Sequence, residues 1–292
     1  MREQDIRFIT GDRSLPLCVL IHGLGMNHHM WDAPELTPVM GGAVTLKSLL
    51  NGCPDQDTIL HDLRSLGYPI ATWSQRRPVG PISEAIAEMK HLLTASRVMS
   101  DAGVVLIGHS RGGLVARAAA SEVQGLRAVI TICAPHGGTE LARWAAYFSK
   151  PAAALSEFLP DESRARLAII LKRMLGFVQS KGVSELLPES EFIRSLPMDA
   201  PRGVYSMSIG GTNPSLKKLP GGLSIPDSLA LLMPRASVPD EIKAGLGDGL
   251  VSAAQARLPY ADEHLDFDAS HVSIIVLAAA RQAIVERVKR LS

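Results

Sequence analysis

One stretch, DAGVVLIGHSRGGLVARAAASEV, constrains the chain more than any other. An apolar, β-branched run at Val104–Ile107 meets an alanine-rich helical pattern at Leu114–Val123 across Gly108-His109-Ser110-Arg111-Gly112, followed directly by Gly113. The spacing is G-x-S-x-G. A strand that passes so abruptly into a helix forces the residue at the junction into a backbone conformation that side chains resist. Glycines two before and two after the serine remove the Cβ atoms that would collide there. The serine hydroxyl is then expected to project above the end of the strand, beside the positive end of the helix that follows.

Strand-then-helix units recur along the chain. Strands are predicted at Leu17–Ile21, Ile70–Trp73, Val104–Ile107, Ala128–Cys133, Val204–Ile209 and His264–Phe267. Between the second and third, PISEAIAEMKHLLTASRVM places Ile82, Ile86, Met89 and Leu93 at helical spacing, with Pro81 where a first-turn proline is tolerated. A last helix is predicted over Val272–Val288. This alternation reads as an α/β fold with a mostly parallel sheet flanked by helices.

Residues 139–203 break the rhythm, because WAAYFSKPAAALSEFLP and LAIILKRMLGFV read as short amphipathic helices where a plain unit needs one. A second irregular stretch, 212–247, is rich in Pro, Gly and Leu. Both follow the strand ending at Cys133, which puts them over one end of the sheet. We therefore expect one domain over 1–292, with 139–203 as a helical lid or cap inserted within it.

Composition narrows the classes of function. The 292 residues are 46% hydrophobic and 20% charged, enough to form a core, and 30 Lys+Arg against 29 Asp+Glu leave a net charge of +1. That balance provides no basic face for nucleic acid and no bulk charge for lipid headgroups. Cys18, Cys53 and Cys133 cannot make a disulfide framework, no CxxC suggests zinc or redox chemistry, and Cys18 and Cys133 read as small core residues. MREQDIRFITGDR lacks the pattern of a secretion signal, and the longest apolar stretch, Ile274–Ala280, is too short to span a membrane. A soluble cytoplasmic protein is the expectation.

Four motifs give the chain a family likeness: His22-Gly23-Leu24-Gly25, Gly108-His109-Ser110-Arg111-Gly112-Gly113, Ala134-Pro135-His136-Gly137-Gly138-Thr139 and Asp248-Gly249-Leu250-Val251. In this order they resemble the α/β-hydrolase fold, and within it bacterial triacylglycerol lipases and carboxylesterases. The resemblance implies a nucleophile at Ser110 and an oxyanion hole made by two backbone N–H groups, those of Arg111 and Leu24. It implies an acid and then a base after the nucleophile. His271, on the loop before the last helix, is the expected base; His264 competes but falls within a predicted strand. Asp248 is the expected acid, matching the family's Asp-Gly-x-Val, with Asp227 and Asp240 as rivals. His109 and His136 lie in motif turns and are expected to shape them.

Many relatives hold a structural calcium through an aspartate just after the base, but Val272 and Ser273 follow His271 here. No metal and no organic cofactor is expected. The function implied is hydrolysis of carboxylic esters with an apolar acyl group, on a small-molecule ester or lipid. The lid would make transient contact with a lipid interface. An intracellular acyl-thioesterase or acyltransferase would use the same apparatus, and a catalytically silent binding protein is the reading outside enzymes.

Overall fold

A computed structural model of the protein describes residues 5–39, 42, 44–50, 53, 57–140, 176, 177, 179–215 and 238–291. Seven strands form the main sheet: β1 (Ile6–Ile9), β2 (Leu17–Ile21), β3 (Ile70–Trp73), β4 (Val104–His109), β5 (Leu126–Ile132), β6 (Tyr205–Gly211) and β7 (Glu263–Phe267). Their order is β1-β3-β2-β4-β5-β6-β7. Only the edge pair β1–β3 is antiparallel; every other neighbour is parallel.

The period-2 alternation of a strand sends successive side chains to opposite faces. In β2, Cys18 and Leu20 face a layer built from α1 (Ile59–Ser65) and α4 (Ala278–Lys289), with Ile59, Leu60, Leu63, Ile284 and Val288 in contact. Leu17, Val19 and Ile21 face the opposite layer, made by α2 (Ile82–Ser96) and α3 (Arg111–Ala119) through Ile82, Met89, Leu92, Leu114 and Val115. Both faces are covered, so the central strands are continuous apolar runs, as parallel sheets require. Burying one such Leu or Ile side chain contributes about 1.5–3 kcal/mol.

Register aligns the carboxyl ends. Ile21 pairs with Gly108, His109 with Ile132, Ile132 with Ile209, and Gly211 with Phe267. The segments after β2, β4, β5, β6 and β7 therefore leave the sheet along one edge, where open α/β sheets hold their ligands.

Two predicted helices differ in detail. The helix expected from Leu114 begins at Arg111, directly after Ser110, and gives way to a 3-10 turn at Ala120–Glu122. The helix expected over Val272–Val288 is a 3-10 turn at Ser273–Ile275 followed by α4. Ser270 and Ser273 exchange side-chain-to-backbone bonds that hold that turn, and the β-branched Val272, Ile274, Ile275 and Val276 disfavour a regular start. Strand β1 was not expected at all.

Residues 141–175 and 178, most of the expected lid, lie outside the described residues, as do 216–237. The described end of the lid segment packs on the body of the fold: Leu186 and Leu196 join the core on the α2–α3 side. No helix among the described residues is long and apolar enough to cross a membrane.

Candidate active site

The junction between β4 and α3 has the geometry its glycines imply. Ser110 adopts φ 55 and ψ −125, a strained backbone for a residue with a side chain. A Cβ at Gly108 would lie 2.4 Å from the Gly112 backbone, and one at Gly112 would lie 2.3 Å from the Ile21 carbonyl oxygen. Only bare backbone fits at both places. The turn is tied down by the Ser110 N–H donating to Ile132 O (2.8 Å) and the Gly113 N–H donating to Ser110 O (2.9 Å).

The loop after β6 brings Asp248 under His271. Asp248 is fully buried and His271 nearly so. The His271 Nδ1–H donates to Asp248 Oδ2 at 2.8 Å, while Oδ1 accepts from the N–H groups of Leu250 (2.9 Å) and Val251 (2.7 Å). The backbones are joined as well, His271 N–H to Asp248 O at 2.8 Å. These bonds put the ring proton on Nδ1 and leave the Nε2 lone pair free to accept. Thr139, from the third motif, donates its hydroxyl to Leu250 O (2.7 Å) and so braces the acid loop.

His109 connects this pair to the strand–helix junction. Its Nε2–H donates to His271 O at 2.8 Å, and the two rings lie 4.8 Å apart between centroids. Burial, with the nearby His271 adding to it, lowers His109 to about 3, so the ring is neutral. Ser110 and His271 thus flank one buried histidine that holds them together. His136 shapes its own turn, with Nε2 bonded to Thr131 Oγ1 (3.0 Å) and its carbonyl accepting from Arg117 (3.0 Å).

The turn after β2 lies against the same junction: a Cβ at Gly23 would sit 3.3 Å from that of Ser110 and 3.0 Å from His109 Nδ1. His22 is fully buried, and its Nε2 accepts from the Gln75 N–H (3.0 Å) while Nδ1–H donates to Gly23 O (2.9 Å). Burial lowers it to about 4. Among the described residues the Leu24 amide makes no hydrogen bond, and Arg111, as the first residue of α3, has no carbonyl one turn back.

The rival residues are engaged elsewhere. Asp240 is exposed and pairs with Lys243 (2.7 Å), Asp227 lies outside the described residues, and His264, on β7, bonds Ser208 Oγ of β6 (2.8 Å) and its strand neighbour Asp266 (3.1 Å). One neighbour had no signal in the sequence. Cys133 stands at φ 49, fully buried, with its Sγ, an Asp248 oxygen and a His271 nitrogen all within 4.8 Å of one another. Burial, then the Asp248 charge, raise its thiol well above the ordinary range, so it faces the carboxylate as a neutral thiol. A cation here would compete for Asp248 oxygens already accepting three N–H donors.

A model of the alpha/beta hydrolase family matches residues 18–286. The chain belongs to the alpha/beta hydrolase family. Among solved structures, the mature lipase BlEst2 of Bacillus licheniformis has a TM-score of 0.58 at 18% identity, over 98% of each chain. The enol-lactonase of Burkholderia xenovorans LB400 gives 0.52 at 16% identity, over 97% of this chain and 96% of that one. The metagenomic carboxyl esterase MGS0156 gives 0.51 at 16%, over 97% and 78%. At these identities the likeness is one of fold. No curated protein sequence matches the chain. Within the alpha/beta hydrolase family, Ser110 stands at the strand–helix junction and the Asp248–His271 pair at the same carboxyl edge of the sheet.

Proposed function

We propose that the protein is a serine hydrolase cleaving carboxylic esters that carry an apolar acyl group. The observation that supports it best is the buried Asp248–His271 bond, clasped through His109 to a strained serine at the β4–α3 junction. Ser110 Oγ attacks the ester carbonyl and gives its proton to His271 Nε2. Asp248 holds the imidazole in the Nδ1–H tautomer and stabilises the imidazolium. The amides of Leu24 and Arg111 receive the negative charge on the carbonyl oxygen. His271 then protonates the leaving alcohol, which departs and leaves an ester on Ser110. Water, deprotonated by His271, cleaves that ester, releases the acid and restores the serine. No step calls for a metal or an organic cofactor.

Residues 139–203 act as the lid and acyl-binding wall in this reading, which favours apolar chains over small polar esters. The esterases and lipases among the structures of similar fold are consistent with that substrate class. The test is Ser110→Ala assayed on a chain-length series of esters and acyl-thioesters. Turnover is expected to fall on the order of a million-fold. Ester hydrolysis near the wild-type rate in the folded variant would overturn the mechanism, and a preference for thioesters would move the substrate class.

A further inference from the structure

Arg111 has a side chain that the reaction above does not use, and that side chain is fully buried. A buried guanidinium ordinarily sits against a carboxylate. Here every partner among the described residues is neutral: one Nη donates to Gln75 Oε1 and Pro78 O, the other to Gly80 O at 2.8 Å. The acids that act on it through space are held elsewhere. Glu84 pairs with Arg77, Glu88 accepts from the Trp73 indole, and Glu185 accepts from the Ile82 N–H. Burial lowers the guanidinium to about 10, which leaves it charged at neutral pH.

The segment it grips, 75–80, in turn grips the turn after β2 at two points. The Gln75 N–H donates to His22 Nε2 (3.0 Å), and the Gly25 N–H donates to Pro78 O (2.9 Å). Leu24 lies between those anchors, and both anchors belong to a segment fastened by Arg111. A third fastening, the Gly182 N–H to Val79 O (2.9 Å), comes from within the 139–203 segment.

We infer that the Arg111 side chain is a positioning residue for the oxyanion hole. Its guanidinium, acting through Gln75 and Pro78, sets the Leu24 amide in register with Arg111's own amide. The inference rests on the proposed serine mechanism and adds to it: one residue supplies one donor through its backbone and places the other through its side chain. Loosening the tether weakens binding of the developing oxyanion more than binding of the ground-state carbonyl. The loss therefore belongs in kcat.

The experiment compares wild type, Ser110→Ala, Arg111→Met, Arg111→Lys and Gln75→Leu. The readouts are steady-state ester hydrolysis, inhibition by a trifluoromethyl ketone that forms an oxyanion on the serine, and thermal melting. Arg111→Met and Gln75→Leu are expected to lower kcat about ten- to a hundred-fold, as small misplacements of catalytic groups do. KM should stay within about threefold, and the inhibitor constant should rise in parallel with the loss of kcat/KM. Arg111→Lys, which keeps the charge but not the fork, should fall between.

If Arg111→Met fails to fold, Gln75→Leu still carries the test, because it removes one acceptor and an amide nitrogen that has no partner among the described residues. Folded Gln75→Leu and Arg111→Lys proteins with kcat and inhibitor constants within about twofold of wild type would overturn the inference, as would a loss confined to KM. Full activity in Ser110→Ala would instead remove the mechanism beneath it, so the two failures are distinguishable.

Discussion

Asp248→Asn perturbs the pair at the centre of the site while keeping its shape. The Leu250 and Val251 amides both point at Oδ1, at 2.9 and 2.7 Å, and His271 Nδ1–H points at Oδ2 at 2.8 Å. An asparagine has one carbonyl oxygen for these three donors. Two of them are backbone groups fixed by the loop, so the oxygen stays with them and the NH2 turns toward His271. The imidazole must then present a bare Nδ1, which moves its proton to Nε2, where it can no longer accept the proton of Ser110. A wrong tautomer of this kind lowers kcat by about 10⁴, or about 5.5 kcal/mol at 1.36 kcal/mol per factor of ten. The fold should survive, because the two backbone donors keep their acceptor. Steady-state hydrolysis of a p-nitrophenyl ester, with a melting curve on the same sample, measures both quantities. A folded Asp248→Asn protein whose kcat lies within roughly tenfold of wild type would refute the assignment of Asp248 as the orienting acid.

Three further outcomes are expected. Gly112→Ala drives a methyl group to 2.3 Å from Ile21 O and 2.8 Å from His22 O, both backbone atoms, so it should destabilise by at least the 1–3 kcal/mol (roughly) of an overpacked core; an unchanged denaturant midpoint would contradict the tight-turn argument. His22 and His109 are lowered to about 4 and about 3, below the ordinary value of 6.5. The unfolded chain therefore binds more protons than the folded one across that interval. Stability should be full above about pH 6.5 and decline as pH falls toward 3–4, at about 1.4 kcal/mol per unit of depression, in urea melts at stepped pH. If 139–203 gates access, activity should climb once an ester exceeds its solubility limit, and a flat response across that limit would point to an open site.

The central sheet was legible in the sequence because its strands are buried on both faces. Leu17–Ile21 and Ile70–Trp73 have the predicted bounds, and both are buried throughout. Strand β1 escaped because Ile6–Ile9 is an edge strand whose half-exposed IRFI pattern lacks that continuous run. Ser110 follows from the G-x-S-x-G spacing, whereas Asp248 and His271 follow from the family resemblance and its chain order; all three stand at the same sheet edge. The Arg111–Gln75–His22 network was not legible. Its members come from three segments separated by tens of residues, and Gln75 carries no motif of its own. Cys133 is buried, as its apolar run predicts, but a cysteine gives no sequence signal of a left-handed backbone or of a thiol set against Asp248.

The central claim is that the reaction passes through an ester on Ser110. Rapid acid quench during turnover of a slowly deacylated ester, followed by peptide mass mapping, tests it directly. The account predicts one acyl group per chain on the peptide containing Ser110, formed before the acid is released and missing from Ser110→Ala. Turnover with no adduct on that peptide, or with the acyl group on another residue, would contradict it.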